Sequence, residues 1–210
     1  MFETLWSKAI PSEQRIREID EGVQPVRTRI LEGQDQIINE MRRINYSSTR
    51  LSVCSAFGGL QMGYKYLFDD YLNIVGKHQK GEGEGMRWAI NVDKENLDLV
   101  KIFLKAGIRI RHIKNMPPMN FGVTDIEMAG TIEKMEGGKI SQTFLISNEP
   151  LYIDHFNSSF EEIWKNGIDA KVRIKAIEEG VDSEEIEIKT LYKSKSVLSV
   201  LFKQLKKKYC

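Results

Sequence analysis

Few side chains in this chain have the chemistry to bind or transform a molecule. Three histidines, His78, His112 and His155, could move protons. Two cysteines, Cys54 inside an apolar run and Cys210 at the last position, give neither a disulfide framework nor a zinc-binding spacing. Arg87 and Arg111 could each fork onto a carboxylate or phosphate, and Asn120 and Asn148 could donate to or accept from a neutral group. Asp125, Ser147 and Glu149 add two acids and a hydroxyl. Gly58-Gly59 and Gly81-Glu82-Gly83-Glu84-Gly85 are rich in glycine, but neither leads into Lys-Ser/Thr in the register of a phosphate loop. Met116, Met119 and Met128 would suit an adaptable surface and equally a packed loop. No metal or cofactor site is expected.

The bulk properties narrow the class. Of 210 residues, 41% are hydrophobic and 29% charged, which excludes disordered and collagen-like chains. The formal charge of +1, from 31 basic and 30 acidic residues, predicts no nucleic-acid partner and no anionic membrane. No apolar run approaches the ~20 residues that span a bilayer. Met1-Phe2-Glu3-Thr4-Leu5-Trp6 lacks the basic start of a signal peptide. The expected location is therefore a reducing cytoplasm. The near-neutral sum hides an asymmetry: residues 1–188 carry a net −6, and the last 22 residues carry seven lysines and no acid. In that tail Val197, Leu198, Leu201, Phe202 and Leu205 recur at helical spacing. Such a basic amphipathic helix is too short for stable membrane attachment; docking on the acidic body is the favoured expectation.

The two ends repeat one another. Phe2-Glu3-Thr4-Leu5-Trp6 returns as Phe160-Glu161-Glu162-Ile163-Trp164. Arg15–Val23 returns as Arg173–Val181 at the same offset of 158, with ten identities over residues 2–23. Each copy carries isoleucines at helical spacing closed by a glycine, Gly22 or Gly180. The organisation expected is the end of one module with a linker helix in 1–23 and a complete module in 24–168. A second linker helix and the basic tail, the start of a truncated further module, follow in 169–210.

Within the module the periodicity predicts strands over Val26–Leu31, Leu51–Ala56, Met86–Val92, Ile108–Ile113, Phe121–Thr124, Ala129–Glu133 and Thr143–Ser147. It predicts helices over Gln36–Ile44, Leu60–His78, Asn96–Lys105 and Ile153–Asn166, with Phe57-Gly58-Gly59 as a break and Gly107 as a helix stop. Met116-Pro117-Pro118-Met119 cannot be helical. Strands alternating with helices, then hairpins, then a long helix, give an α/β fold with a mixed β-sheet flanked by helices.

The order of strand Ile108–Ile113, the Pro117-Pro118 turn, Asn120-Phe121-Gly122-Val123-Thr124-Asp125, Ser147-Asn148-Glu149 and Phe160-x-x-x-Trp164 resembles the phospholipase D superfamily. Its signature is His-x-Lys-x-x-x-x-Asp. With Asp125 on the motif aspartate, Asn120 stands at the lysine and Pro118 at the nucleophilic histidine. Proline has no nitrogen to attack phosphorus and no proton to give. An active enzyme of the family also needs two such motifs, and the three histidines are read as having no His-x-Lys context. The chain is therefore expected not to be an enzyme. Arg111–Phe121, Ile132–Lys139 and Ser147–Tyr152 resemble more closely a group of archaeal signalling proteins, over about residues 1–188. In that group degenerate phospholipase D-like modules, often in tandem, precede histidine-kinase domains. A related module is the effector domain of sugar-responsive archaeal transcription regulators.

That resemblance implies a ligand site at the carboxyl ends of the central strands, with Arg111, Asn120, Asp125, Ser147, Asn148 and Glu149 as its candidates and Arg87 and His112 beside them. Asp125 could equally start a turn, Arg109 and Arg111 could face solvent on an edge strand, and His112 reads as a core histidine. The Tyr64, Tyr66, Phe68, Tyr71 cluster reads as packing. The function implied is a non-catalytic sensory or effector module binding a small ligand or signalling protein, with a homodimer allowed. Two alternatives are a phosphodiesterase or nuclease completed by dimerisation, and a structural dimerisation unit.

Overall fold

The computed structural model describes residues 27–136 and 139–181, together with Ser12, Glu13, Ile16 and Asp20, which are helical. The rest of the first repeat copy and the basic tail with Cys210 lie outside the described residues. The architecture is the mixed α/β sheet expected from the sequence. Eight strands lie in the order β1-β7-β6-β5-β2-β3-β4-β8. They are β1 (Thr28–Leu31), β2 (Arg50–Cys54), β3 (Gly85–Ile90), β4 (Arg109–His112), β5 (Phe121–Thr124), β6 (Met128–Glu136), β7 (Lys139–Ser147) and β8 (Ile168–Asp169). β2, β3 and β4 run parallel, and every other pairing is antiparallel.

The helices are α1 (Gln34–Ser47), α2 (Phe57–Tyr66), α3 (Phe68–Gln79), α4 (Leu97–Lys105), α5 (Pro150–Asn166) and α6 (Ala170–Glu178). Alternation along β2 and β3 explains their placement. Leu51, Met86, Trp88 and Ile90 point to one face and join Ile38 of α1, Leu60 of α2, Tyr71 and Ile74 of α3, Phe103 of α4 and Ile174 of α6 in the main core. Cys54 of β2 and Ala89 of β3 point to the other face and meet Phe121 and Phe160 of α5. α6 thus completes the core beyond residue 168, and Arg173 Nε donates to the carbonyl of Val92 at 3.3 Å.

Two elements differ from the sequence expectation for a tertiary reason. The helix expected over Leu60–His78 is two helices, bent at Leu67 (φ −128°, ψ 4°), whose side chain is wholly buried. The expected break Phe57-Gly58-Gly59 is the first turn of α2. A Cβ on Gly59 would lie 2.6 Å from Ser55 Oγ, and one on Gly63 would lie 3.0 Å from the Tyr71 ring and 3.1 Å from Trp88. The glycines of α2 let the helix lie close on its neighbours, which outweighs their low helical propensity. Gly107 ends α4 in the left-handed region (φ 93°), as expected. Pro150 occupies the first turn of α5, where a missing N–H costs nothing. No helix among the described residues is long and apolar enough to cross a membrane.

Candidate functional site

A cavity of about 690 Å³ lies between α1, α2 and the sheet. Its walls follow from the amphipathic stripe of α1 and from strand alternation. Ile37, Ile38 and Met41 face Leu51 and Val53 of β2, with Ala129 and Phe144 from β6 and β7. Gly122 of β5 leaves the floor open, because it carries no side chain between Leu51 and Val53. Gln34 Nε2 donates to Tyr66 Oη at 2.8 Å, tying the first turn of α1 to the end of α2 at the rim. The volume falls within the ~300–1,000 Å³ typical of small-molecule sites.

The polar groups of the lining are mostly engaged. Asn120 Oδ1 accepts from the backbone N–H of Ala56 at 2.7 Å. Thr131 Oγ1 donates to the carbonyl of Asn120, and Ser55 Oγ accepts from Trp88 Nε1 at 3.0 Å. Thr124 Oγ1 donates to the carbonyl of Glu127. Glu127 is held by Arg43 at 2.6 Å, and Arg43 also reaches Glu40, which Arg29 binds from the other side. The hydrogen bond from Arg29 holds the Glu40 carboxyl below its usual range, with Arg43 adding to it against partial burial. Asn45 is different: it is 3% exposed, it lines the cavity, and its Nδ2 meets no acceptor.

Of the residues proposed from sequence, only Asn120 lines this cavity. Asp125 lies at the other end of β5, about 16 Å away for five extended residues. It accepts from the N–H and Oγ1 of Thr49, a tie to the start of β2, whereas the turn after β5 is held by Thr124 Oγ1, which accepts from the N–H groups of Ile126 and Glu127. Ser147 is buried against Thr28 Oγ1 at 2.8 Å, Asn148 Oδ1 accepts from the N–H of Arg27, and Glu149 caps α5 through its carbonyl. These three tie β1 and α5 to the end of β7. Arg111 is on the opposite face of the sheet, where its guanidinium lies 5.1 Å from the Trp164 ring centre and donates to the Trp164 carbonyl. It is neither solvent-facing nor near the cavity. Arg87 beside it reaches Ser52 Oγ and Glu161 and lies over the Phe160 ring at 4.9 Å. The six proposed residues therefore do not converge.

His112 is the core histidine expected. Its Nδ1 accepts from the N–H of Val92 at 2.9 Å, and burial, with Arg173 and Lys114 adding to it against Asp93, pushes its pKa down to about 4. His78-Gln79-Lys80 and His112-Ile113-Lys114 do have His-x-Lys spacing, but the aspartate position is Gly85 in one and Met119 in the other. Burial raises the Cys54 thiol to about 12, leaving no thiolate to react. Tyr71 packs edge-on against Trp88 as expected of the tyrosine cluster, whereas Tyr66 lines the cavity rim. Among the described residues no cluster of His, Cys, Asp or Glu is placed to hold a metal. Asn45 was the residue missed. Its signal is in the sequence: with Ile38 and Met41 it continues the apolar stripe of α1 at positions i, i+3 and i+7, a polar residue on a buried face.

No protein-family model matches the chain, and no curated protein does. Among solved structures, TrmBL2, an archaeal chromatin protein with a novel mode of DNA binding, superposes with a TM-score of 0.52 at 14% identity. The match covers 80% of this chain, which spans 64% of the length of TrmBL2. Nuc, a phospholipase D family member from Salmonella typhimurium, superposes with a TM-score of 0.45 at 12% identity, over 69% of this chain and 97% of Nuc. At these identities the first likeness shows a shared fold and nothing of activity; the second carries no inference. The likeness to TrmBL2 corrects one expectation. A net charge of +1 does not exclude nucleic acid, because a structural neighbour of this fold binds DNA. The physical reason is that binding answers to the local charge of one surface and not to the sum over the chain.

Proposed function

We propose that the chain is a non-catalytic sensory or effector module of a signalling system and that the cavity beneath α1 and α2 is its ligand site. The observation that carries this reading is the lining itself. It holds about 690 Å³ of largely apolar space with Asn120 at its edge and, among the described residues, no histidine, lysine, arginine or cysteine in its wall. Pro118 and Asn120, in place of the histidine and lysine of the phospholipase D motif, support the absence of phosphodiester chemistry. The archaeal, histidine-kinase-associated context, the tandem arrangement and the cytoplasmic location rest on the sequence resemblance and the repeat. A thermal-shift screen of metabolites with the full chain tests the reading: at least one compound raises Tm, and bis(p-nitrophenyl) phosphate is not hydrolysed at any protein concentration. Turnover that rises with the square of concentration would support the dimeric nuclease instead, and a screen without a single shift would support the structural unit.

Nucleic-acid binding is a second reading, favoured by the likeness to TrmBL2. Seven lysines after residue 188 supply a local positive charge for it. Retardation of a generic DNA duplex that weakens steeply with added salt supports it, since phosphate contacts release counterions. Unchanged duplex mobility at low salt excludes it.

A further inference from the structure

The chemistry of the cavity wall goes further than its volume. A buried anion needs a cation or several donors, and a buried cation needs a free acid, because uncompensated charge in an apolar site costs several kcal/mol or more. Among the described residues the wall offers neither. Its one carboxylate, Glu127, is already paired with Arg43 at 2.6 Å. A carbohydrate needs a partner for each of its hydroxyls. Ser55, Thr124, Thr131, Asn120 and Tyr66, which line the cavity, each already make a hydrogen bond within the protein, which leaves scattered single sites and not the set of partners a sugar needs. One polar side chain stands apart: Asn45, on the buried apolar stripe of α1 with Ile38 and Ile44, has a buried Nδ2 with no acceptor among the described residues. A buried amide donor left unpaired destabilises the fold, and a bound acceptor would remove that cost.

We infer that the cavity takes an uncharged, largely hydrocarbon ligand with a single hydroxyl or carbonyl head group, and that the Asn45 amide receives the head group while Ile37, Met41, Leu51 and Val53 surround the chain. This deepens the ligand-module reading and rests on it. The class is distinct from the sugars, nucleotides and phosphorylated metabolites that a polar, charged site would select. Asn45 sets specificity through one hydrogen bond, and the wall provides the affinity by burying apolar surface.

The test uses the full chain and N-phenyl-1-naphthylamine, an uncharged probe that fluoresces in apolar surroundings. The probe binds, n-decanol displaces it, decanoate at neutral pH displaces it far less well, and maltose does not displace it. Asn45→Leu weakens n-decanol about three- to tenfold relative to the probe, the worth of one hydrogen bond. Gly122→Leu fills the floor of the cavity and abolishes probe binding. Its backbone permits the change, since a Cβ there would sit in ordinary contact, 3.7 Å from Leu51 and 3.9 Å from Val53. The ligand series needs no variant and so decides the class even if a substitution disturbs folding. Preferential binding of decanoate or maltose over n-decanol overturns the ligand class and leaves the module reading standing. Unchanged n-decanol affinity relative to the probe in Asn45→Leu overturns the role of Asn45. Probe binding that survives Gly122→Leu overturns the cavity as the site. A chain that binds neither the probe nor any compound of the metabolite screen loses both readings.

Discussion

Gly58 and Gly59 are adjacent in the first turn of α2, and the structure gives them opposite responses to the same substitution. A Cβ on Gly58 would meet nothing within 4 Å, and the residue is exposed with an ordinary helical backbone. Gly58→Ala should therefore stabilise by about 0.5 kcal/mol, the entropy and propensity advantage of alanine in a helix. A Cβ on Gly59 would lie 2.6 Å from Ser55 Oγ and 2.7 Å from Ser55 Cβ. Ser55 is buried and accepts the indole N–H of the fully buried Trp88 at 3.0 Å, so its side chain cannot retreat without giving up that bond. Overpacking costs about 1–3 kcal/mol, and a buried indole donor left unpaired costs a similar amount. Gly59→Ala should destabilise by about 2–4 kcal/mol. At a urea dependence of about 2–3 kcal/mol per molar, the unfolding midpoint falls by about 1 M, while that of Gly58→Ala rises slightly. In a Ser55→Gly background the clash has no partner, and Gly59→Ala should then cost markedly less. Circular dichroism during urea titration reads the unmodified chain and the four variants. If the two single alanines shift the midpoint in the same direction, or if Ser55→Gly relieves nothing, the close approach of α2 to Ser55 is wrong.

Other expectations follow from named contacts. His112 has a folded pKa of about 4, below the ~6.5 of an unfolded histidine. The unfolded chain thus binds the extra proton between these values, and stability falls as pH drops from 6.5 through 4, by up to about 3 kcal/mol. His112→Gln should flatten that slope in urea midpoints measured from pH 4 to 7.5, and an unchanged slope would move its cause elsewhere. In a Cys210→Ser background, Cys54, fully buried with its thiol raised to about 12, should react with a maleimide at pH 8 only at the rate of unfolding; prompt labelling would contradict its burial. Arg87, whose side chain is 11% exposed and which joins Ser52, Glu161 and the Phe160 ring, should cost about 1–3 kcal/mol when replaced by methionine. Ligand affinity should stay the same, because Arg87 lies on the far face of the sheet; a change in binding would place the ligand on the α5 side.

The order of the elements and most of their limits are written along the chain. β5 runs over Phe121–Thr124, Gly107 stops α4, and α1 carries the isoleucine stripe that its spacing predicts. These features depend on residues a few positions apart, whose periodicity is written directly in the chain. That Pro118 and Asn120 stand seven and five positions before Asp125 is equally legible, since it needs no knowledge of partners. The availability of polar groups was not legible, because it depends on partners distant in sequence. Asp125 is used by Thr49, Ser147 by Thr28, and Glu127 by Arg43, 84 positions away. Only the tertiary structure decided that Arg87 and Arg111 belong to the packing of α5 and that Gly59 lies against Ser55. It also decided which buried amide was left without a partner. A side chain's type fixes the hydrogen bonds it can make, and the packing of distant strands and helices fixes whether any remain to be made with a ligand.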